Sequence, residues 1–169
     1  VMLASAARAP DRPRGKRCGT LVHNLMATAA LAASEAELAT LAVAIGRLVS
    51  ATDDETRAAA VAARTALAHP ILERARTAQR KGLLHREVPI TLRVDQPGAA
   101  SRQPAEVVDG IIDLSFEEDG VVHVIDYKTD DPASMTSEHL NVYRAQVSLY
   151  VRAIMTATGR AAEGTLLFI

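Results

Sequence analysis

The chain of 169 residues is 49% hydrophobic, enough to bury one real core, so a single domain is expected. A net charge of −1 provides no global attraction to nucleic acid, and any such contact has to come from a local basic patch. The lone cysteine, Cys18, excludes an internal disulfide framework and a four-cysteine zinc or iron–sulfur site.

No apolar run approaches the roughly 18 residues of a membrane span, and no G-x-x-x-x-G-K-[ST] phosphate loop is present. The opening VMLASAARAP superficially resembles a signal peptide, but its apolar stretch is short and its basic residues follow rather than precede it. It reads as the trimmed edge of a larger polypeptide, there being no methionine at position 1. A reducing, intracellular compartment fits the cysteine usage.

Residues 8–17, RAPDRPRGKR, are a basic, proline-containing stretch. They read as a solvated linker, or as an arm that contacts phosphates through Arg14, Lys16 and Arg17. Gly19 to about Ala33 is a predicted helix whose apolar stripe is Leu21, Val22, Leu25, Met26 and Ala29. His23 sits at the edge of that stripe, about 100° from Val22 on the helical wheel; a histidine there is usually structural.

Ser34-Glu35-Ala36-Glu37 and Thr52-Asp53-Asp54-Glu55 each place a capping hydroxyl before acids, so helices are predicted after both. His69-Pro70 ends the second of these, and Ile71–Arg80 resumes as a short basic helix. Leu84–Val94 alternates as a strand, with Glu87 beside Arg86, where a simple ion pair is the plain explanation. Residues 95–105 are loop by their Gly, Pro and Ser content. The last predicted elements are a long helix, Glu138–Thr158, and a β-rich run, Thr165–Ile169.

Between them lies the most informative stretch, Gly110–Thr129. Two apolar strands, Val107–Phe116 and Val121–Tyr127, flank the acidic turn Glu117-Glu118-Asp119-Gly120, and Asp-Gly is a strong hairpin signal. Side chains alternate along a strand, so Val122, Val124, Asp126 and Lys128 share a side, with Asp126 and Lys128 roughly 7 Å apart. Asp113 follows Val107, Asp109 and Ile111 at the same period. Two carboxylates on neighbouring apolar strands cost free energy unless something compensates them. A divalent cation between them, with a lysine beside it, is the makings of a phosphodiester-cleaving site.

Other acids nearby are read differently. Glu117–Asp119 form a solvated turn and Asp130-Asp131 terminate the strand, which leaves Asp109 as the best decoy ligand. His123 falls on the face opposite Asp126, against a ligand role. In the long helix, Tyr143, Gln146, Val147, Tyr150, Val151 and Ile154 make one face, and Gln146 meets Tyr150 across one turn.

The set G-T-L-V-H (Gly19–His23), R-E-V-P-I (Arg86–Ile90), G-I-I-D (Gly110–Asp113), D-Y-K-T (Asp126–Thr129) and Q-V-S-L-Y (Gln146–Tyr150) resembles the RecB-like nucleases of the PD-(D/E)XK superfamily. The resemblance covers about residues 15–169. It is strongest to the C-terminal nuclease domain of AddA-type and RecB-type helicase–nucleases, which process DNA ends in recombinational repair. It implies an α/β fold: a restriction-endonuclease-like core, a mixed central sheet flanked by helices, with an N-terminal helical segment. The implied layout is an arm over 1–18 and a nuclease domain over 19–169.

By the same resemblance, Asp113 and Asp126 would bind Mg²⁺ or Mn²⁺, joined by His23 and the backbone carbonyl of Tyr127. Lys128 would orient or activate the attacking water, and Gln146 and Tyr150 would steady Lys128 or the scissile phosphate. Glu87 lies in the family's first-strand motif without an assignable role, and Arg86 joins Arg14, Lys16 and Arg17 as a candidate nucleic-acid contact. Relatives that carry an iron–sulfur cluster need four cysteines, so none is expected here.

The implied function is a metal-dependent DNA exonuclease, cytoplasmic and nucleoid-associated. Its implied partners are single-stranded DNA or DNA ends, a helicase motor and a second helicase–nuclease subunit, with no membrane. The alternatives are a catalytically silent, nuclease-fold DNA-binding module and a stand-alone endonuclease.

Overall fold

In the computed structural model, residues 1–7, 13, 15–94 and 106–169 are described. Helix α1 (Lys16–Thr28) starts at Gly15 without a side-chain cap. Helices α2 (Glu35–Leu48) and α3 (Asp53–Leu67) each begin with a full capping box, Ser34 with Glu37 and Thr52 with Glu55. Each box satisfies two otherwise orphaned amides. Pro70 opens α4 (Pro70–Arg80) at a position where no amide is needed, and the Ile71 amide donates to His69 Nδ1.

Strand β2 (Leu84–Val94) has the bounds expected from its alternation. The hairpin of β3 (Glu106–Glu118) and β4 (Val121–Lys128) closes through Asp119 and Gly120, with φ of 51° and 79°. Two consecutive positive φ values are the mark of a type I′ turn, and they explain the Asp-Gly pair. Helix α5 (Ser137–Thr158), capped by Thr136, then crosses to β5 (Ala161–Phe168).

Met2–Ser5 departs from the sequence reading. Instead of belonging to an arm, it forms β1, which pairs in parallel with β5 from Met2↔Thr165 to Ser5↔Phe168. Lys16–Cys18 likewise belong to α1. A four-residue apolar run carries too little periodicity to separate a short edge strand from a tail.

The sheet order is β1-β5-β4-β3-β2, with β4 and β5 parallel and the β2–β3–β4 run antiparallel. Helices α1–α4 cover one face, packing on Leu114, Phe116, Ile125, Tyr127 and Leu167. Helix α5 covers the other, packing on Ile112, Val124, Leu166 and Phe168. The fold is thus the mixed sheet between helices that the sequence predicts.

The β2–β3 ladder breaks its own alternation once. Leu84 packs on the α1–α4 side, and Arg86 reaches the carbonyls that end α1 there, yet Val88 and Ile90 pack with Tyr150 of α5. In β3, Ile112 packs on the α5 side and Leu114 on the other. Regular alternation would keep residues two apart on one face. The switch occurs at Glu87, whose φ is 50°, opposite Asp113, and that pair is missing from the otherwise continuous ladder.

Candidate active site

The β3–β4 ladder runs from Glu118↔Val121 to Leu114↔Ile125 and stops there. One step further, the strands part around Asp113 and Asp126. The gap is spanned by the Tyr127 amide, which donates to Asp113 Oδ2 at 2.7 Å. The two acids therefore meet where the sheet opens, each carried by a strand that is anchored in the core on its other residues.

Lys128 follows on the same side as Asp126. Its Nζ lies 2.7 Å from Asp126 Oδ2 and donates to Gln146 Oε1 at 3.1 Å. Gln146 Nε2 in turn donates to the Tyr150 hydroxyl at 2.7 Å, and the Ile111 amide donates to the same oxygen. The chain Lys128–Gln146–Tyr150 thus ends on the backbone of β3, two residues before Asp113. Gly110 makes room for it, since a Cβ there would stand 2.7 Å from Tyr150 Cε1.

His23 on α1 approaches from the other face, its Nδ1 3.8 Å from Asp113 Oδ1. The helical pattern alone reads it as structural and the resemblance makes it a metal ligand; the structure brings it beside Asp113.

The electrostatics are unbalanced. Burial first, then Asp126, pushes the Asp113 carboxyl up to about 6, with His23, the Tyr127 amide and Lys128 opposing. Burial also raises Asp126, against the pull of Lys128. Asp126 Oδ2 is buried and ion-paired with Lys128, but makes no well-directed hydrogen bond. One ammonium faces two carboxylates in a place where unpaired charge is costly.

A divalent cation fits that residual charge and the hard oxygen donors. Among the described residues, no three His, Cys, Asp or Glu side chains form a ready-made cage. The donor set is therefore the kind that Mg²⁺ completes with water and substrate phosphate. A cleft of about 410 Å³ adjoins the site, between Lys16 and Gly19 of α1 and Thr129, Asp131 and Ser134 beyond β4.

The remaining candidates fall elsewhere. Arg14 lies outside the described residues. Lys16 is exposed on the cleft rim. Arg17 is committed to Glu55 of α3, with Nε 3.0 Å from Oε2. Arg86 faces inward, donating from Nη1 to the carbonyls of Met26, Ala27 and Ala29 at 3.4, 3.2 and 2.6 Å. It caps the end of α1 and does not present its charge outside, a correction to the contact expected from sequence; burial lowers its pKa. The exposed Glu87 makes the face switch opposite Asp113.

Asp109 accepts from the Thr91 hydroxyl at 2.7 Å and stays exposed. His123 stacks on Phe116 at 4.9 Å on the α1–α4 side, away from Asp126 as expected. Tyr143, read only as one member of a helix face, also belongs to the site. Its ring lies 4.5 Å from Lys128 Nζ, and its hydroxyl donates to Asp130 Oδ2 at 2.6 Å.

Among the described residues, no helix is long and apolar enough to cross a membrane. The sequence is 31% identical over 96 residues to ATP-dependent helicase/nuclease subunits from Staphylococcus aureus strains JH9, Mu3 and NCTC 8325. That alignment covers 50% of this chain and only 8% of each relative. The pattern of the PD-(D/E)XK nuclease superfamily matches residues 2–169, from the first edge strand to the last residue of the chain. With that match over nearly its whole length, and the mixed sheet of a restriction-endonuclease-like fold, the chain belongs to the PD-(D/E)XK nuclease superfamily.

Proposed function

We propose that the chain is a divalent-metal-dependent DNA exonuclease domain that works beside a helicase motor and processes DNA ends in recombinational repair. The observation that carries this reading is the meeting of Asp113, Asp126 and Lys128 where β3 and β4 part. The similarity to proteins named as helicase/nuclease subunits supports the helicase partner, and a second polypeptide beside it. A DNA substrate puts the work in the cytoplasm, at the nucleoid.

Asp113 and Asp126 would hold Mg²⁺ or Mn²⁺, with His23 and the Tyr127 carbonyl as further donors. Such an ion, when bound, supplies charge stabilisation for the phosphoryl oxygens and a more acidic water. The chain's own residues supply the rest. Lys128, fixed between Asp126 and Gln146, offers a compact positive charge to the phosphate. Gln146 and Tyr150 hold that amine against the backbone of β3. Burial of Asp126, with Asp113 only partly exposed beside it, limits the screening of these charges by water. Exposed Lys16, on the cleft rim, is placed to meet the strand backbone.

The test is incubation of end-labelled single-stranded DNA with the full-length polypeptide in Mg²⁺, Mn²⁺ or EDTA, beside Lys128→Ala and Asp126→Ala. Release of mononucleotides or short products from ends, dependent on metal and abolished in both variants, is the expected result. Cutting of circular single strands would instead make it an endonuclease. DNA binding without cleavage in any metal would make it a silent module.

A further inference from the structure

We propose that Tyr143 is a positioning residue that holds the Lys128 amine in its working place, an inference that rests on the nuclease reading of the site. An ammonium has three N–H bonds to place. In the structure one N–H goes to Gln146 Oε1 at 3.1 Å, and Asp126 Oδ2 is ion-paired with Nζ at 2.7 Å. The Tyr143 ring closes another side, its centroid 4.5 Å from Nζ, within the range of a cation–π contact.

The ring is itself held from several sides. Its hydroxyl donates to Asp130, two residues past Lys128, so one tether joins α5 to the end of β4. His139, one turn earlier on α5, packs on it with ring centroids 4.7 Å apart. Gln146 lies three residues later on the same helix, so one helix face delivers both the amide and the ring to the lysine. A lysine stem has several rotatable bonds and would otherwise sample many positions. With the ring in place, the side chain is only 13% exposed.

Tyr143 also packs against the cluster around Val147, Leu166 and Phe168, so a purely structural role is the competing account. Two variants separate them. Tyr143→Phe keeps the ring face and loses the tether, whereas Tyr143→Leu keeps apolar bulk and loses the face.

The chain's lysines are Lys16, Lys81 and Lys128, so ¹³Cε-lysine labelling gives an assignable spectrum. The Lys128 ε-protons should lie upfield of the other two in the wild type and in Tyr143→Phe, and return to the ordinary position in Tyr143→Leu. In cleavage of labelled single-stranded DNA, Tyr143→Leu should lose about ten- to hundredfold in kcat with KM nearly unchanged, as displaced catalytic groups do. Tyr143→Phe should stay within about threefold of the wild type, the ring face being the larger part of the restraint.

A wild-type Lys128 resonance without the upfield shift overturns the proposal by itself, whether or not Tyr143→Leu folds. Equal losses in Leu and Phe, or a loss confined to KM, overturn it as well. If the wild type cuts no DNA, the nuclease reading fails, and the spectra still decide whether the ring holds the amine.

Discussion

The backbone amide of Tyr127 donates to the Asp113 carboxylate at 2.7 Å, in the place where the β3–β4 ladder would have continued. An acid that bonds to the strand bearing its partner acid cannot drift from it. The spacing of Asp113 and Asp126 is therefore set by the sheet and not by a loop. What the sheet gains in placement it loses in electrostatics, because both carboxylates are pushed toward protonation by the burial that brings them together.

That loss predicts a pH-dependent stability. The folded pKa of Asp113, about 6, lies above its unfolded value. Its contribution is thus fully present below the unfolded pKa near 3.8 and is lost as pH rises through about 6. At roughly 1.4 kcal/mol per pKa unit, the loss is at most about 3 kcal/mol. His69 and His123 slope the opposite way, since burial holds both below the ordinary imidazole value and their contribution is lost as pH falls. The difference between wild type and Asp113→Asn isolates the acid. In EDTA, urea melts should show Asp113→Asn more stable by about 1–3 kcal/mol at pH 8, the gap closing toward pH 4. A variant less stable than wild type at pH 8 contradicts this.

The same repulsion predicts a stabilising response to metal. A ligand that binds only the folded state adds about 2.7 kcal/mol at one hundred times its Kd. Saturating Mn²⁺ or Mg²⁺ at pH 7.5 should raise the melting temperature of the wild type by several degrees. Asp126→Asn should respond little, because half of the carboxylate pair is gone. A wild-type melting curve unmoved by either ion would remove the case for a cation at these acids.

Much of this was readable from residue order. Alternation gave β2 its bounds, the Asp-Gly turn gave the hairpin, and the Ser34 and Thr52 boxes gave two helix starts. The site acids stood out because carboxylates interrupt apolar strands. Glu87 was not readable, since glutamate is no usual choice for a positive φ and nothing local announces the face switch it makes. Arg86 looked like a surface cation because a sequence does not show that a helix ends above it. Tyr143 passed as core because its ring does pack there; only coordinates reveal Lys128 over its face.

Gly110 offers a way to disturb the site without touching a charged group. An alanine Cβ would stand 2.7 Å from Tyr150 Cε1 and 3.0 Å from its hydroxyl, so the ring must shift. Overpacking of this kind costs about 1–3 kcal/mol. The shift would draw Tyr150 off Gln146 and loosen Lys128. Gly110→Ala should therefore stay folded by circular dichroism while losing at least about tenfold in cleavage rate. Gly164→Ala is the control, because its Cβ would collide with Val147 and Val151 where α5 packs over β5 and damage stability instead. Equal activity in Gly110→Ala and wild type would show that the Tyr150 link is dispensable.

Arg86 and Lys16 should separate cleanly in a salt titration of DNA binding. Arg86 spends its guanidinium on the carbonyls of Met26, Ala27 and Ala29, favourable partners for a cation at a helix C-terminus. Arg86→Met should cost about 1–3 kcal/mol of stability through those unmet acceptors. It should leave the slope of log K against log salt unchanged, because no phosphate contact is lost. Lys16 stands exposed on the cleft rim, so Lys16→Ala should leave the melting temperature alone and flatten that slope by about one. The reverse pattern, a flatter slope for Arg86→Met and none for Lys16→Ala, would mean that DNA approaches from the α1 C-terminal side, away from the cleft.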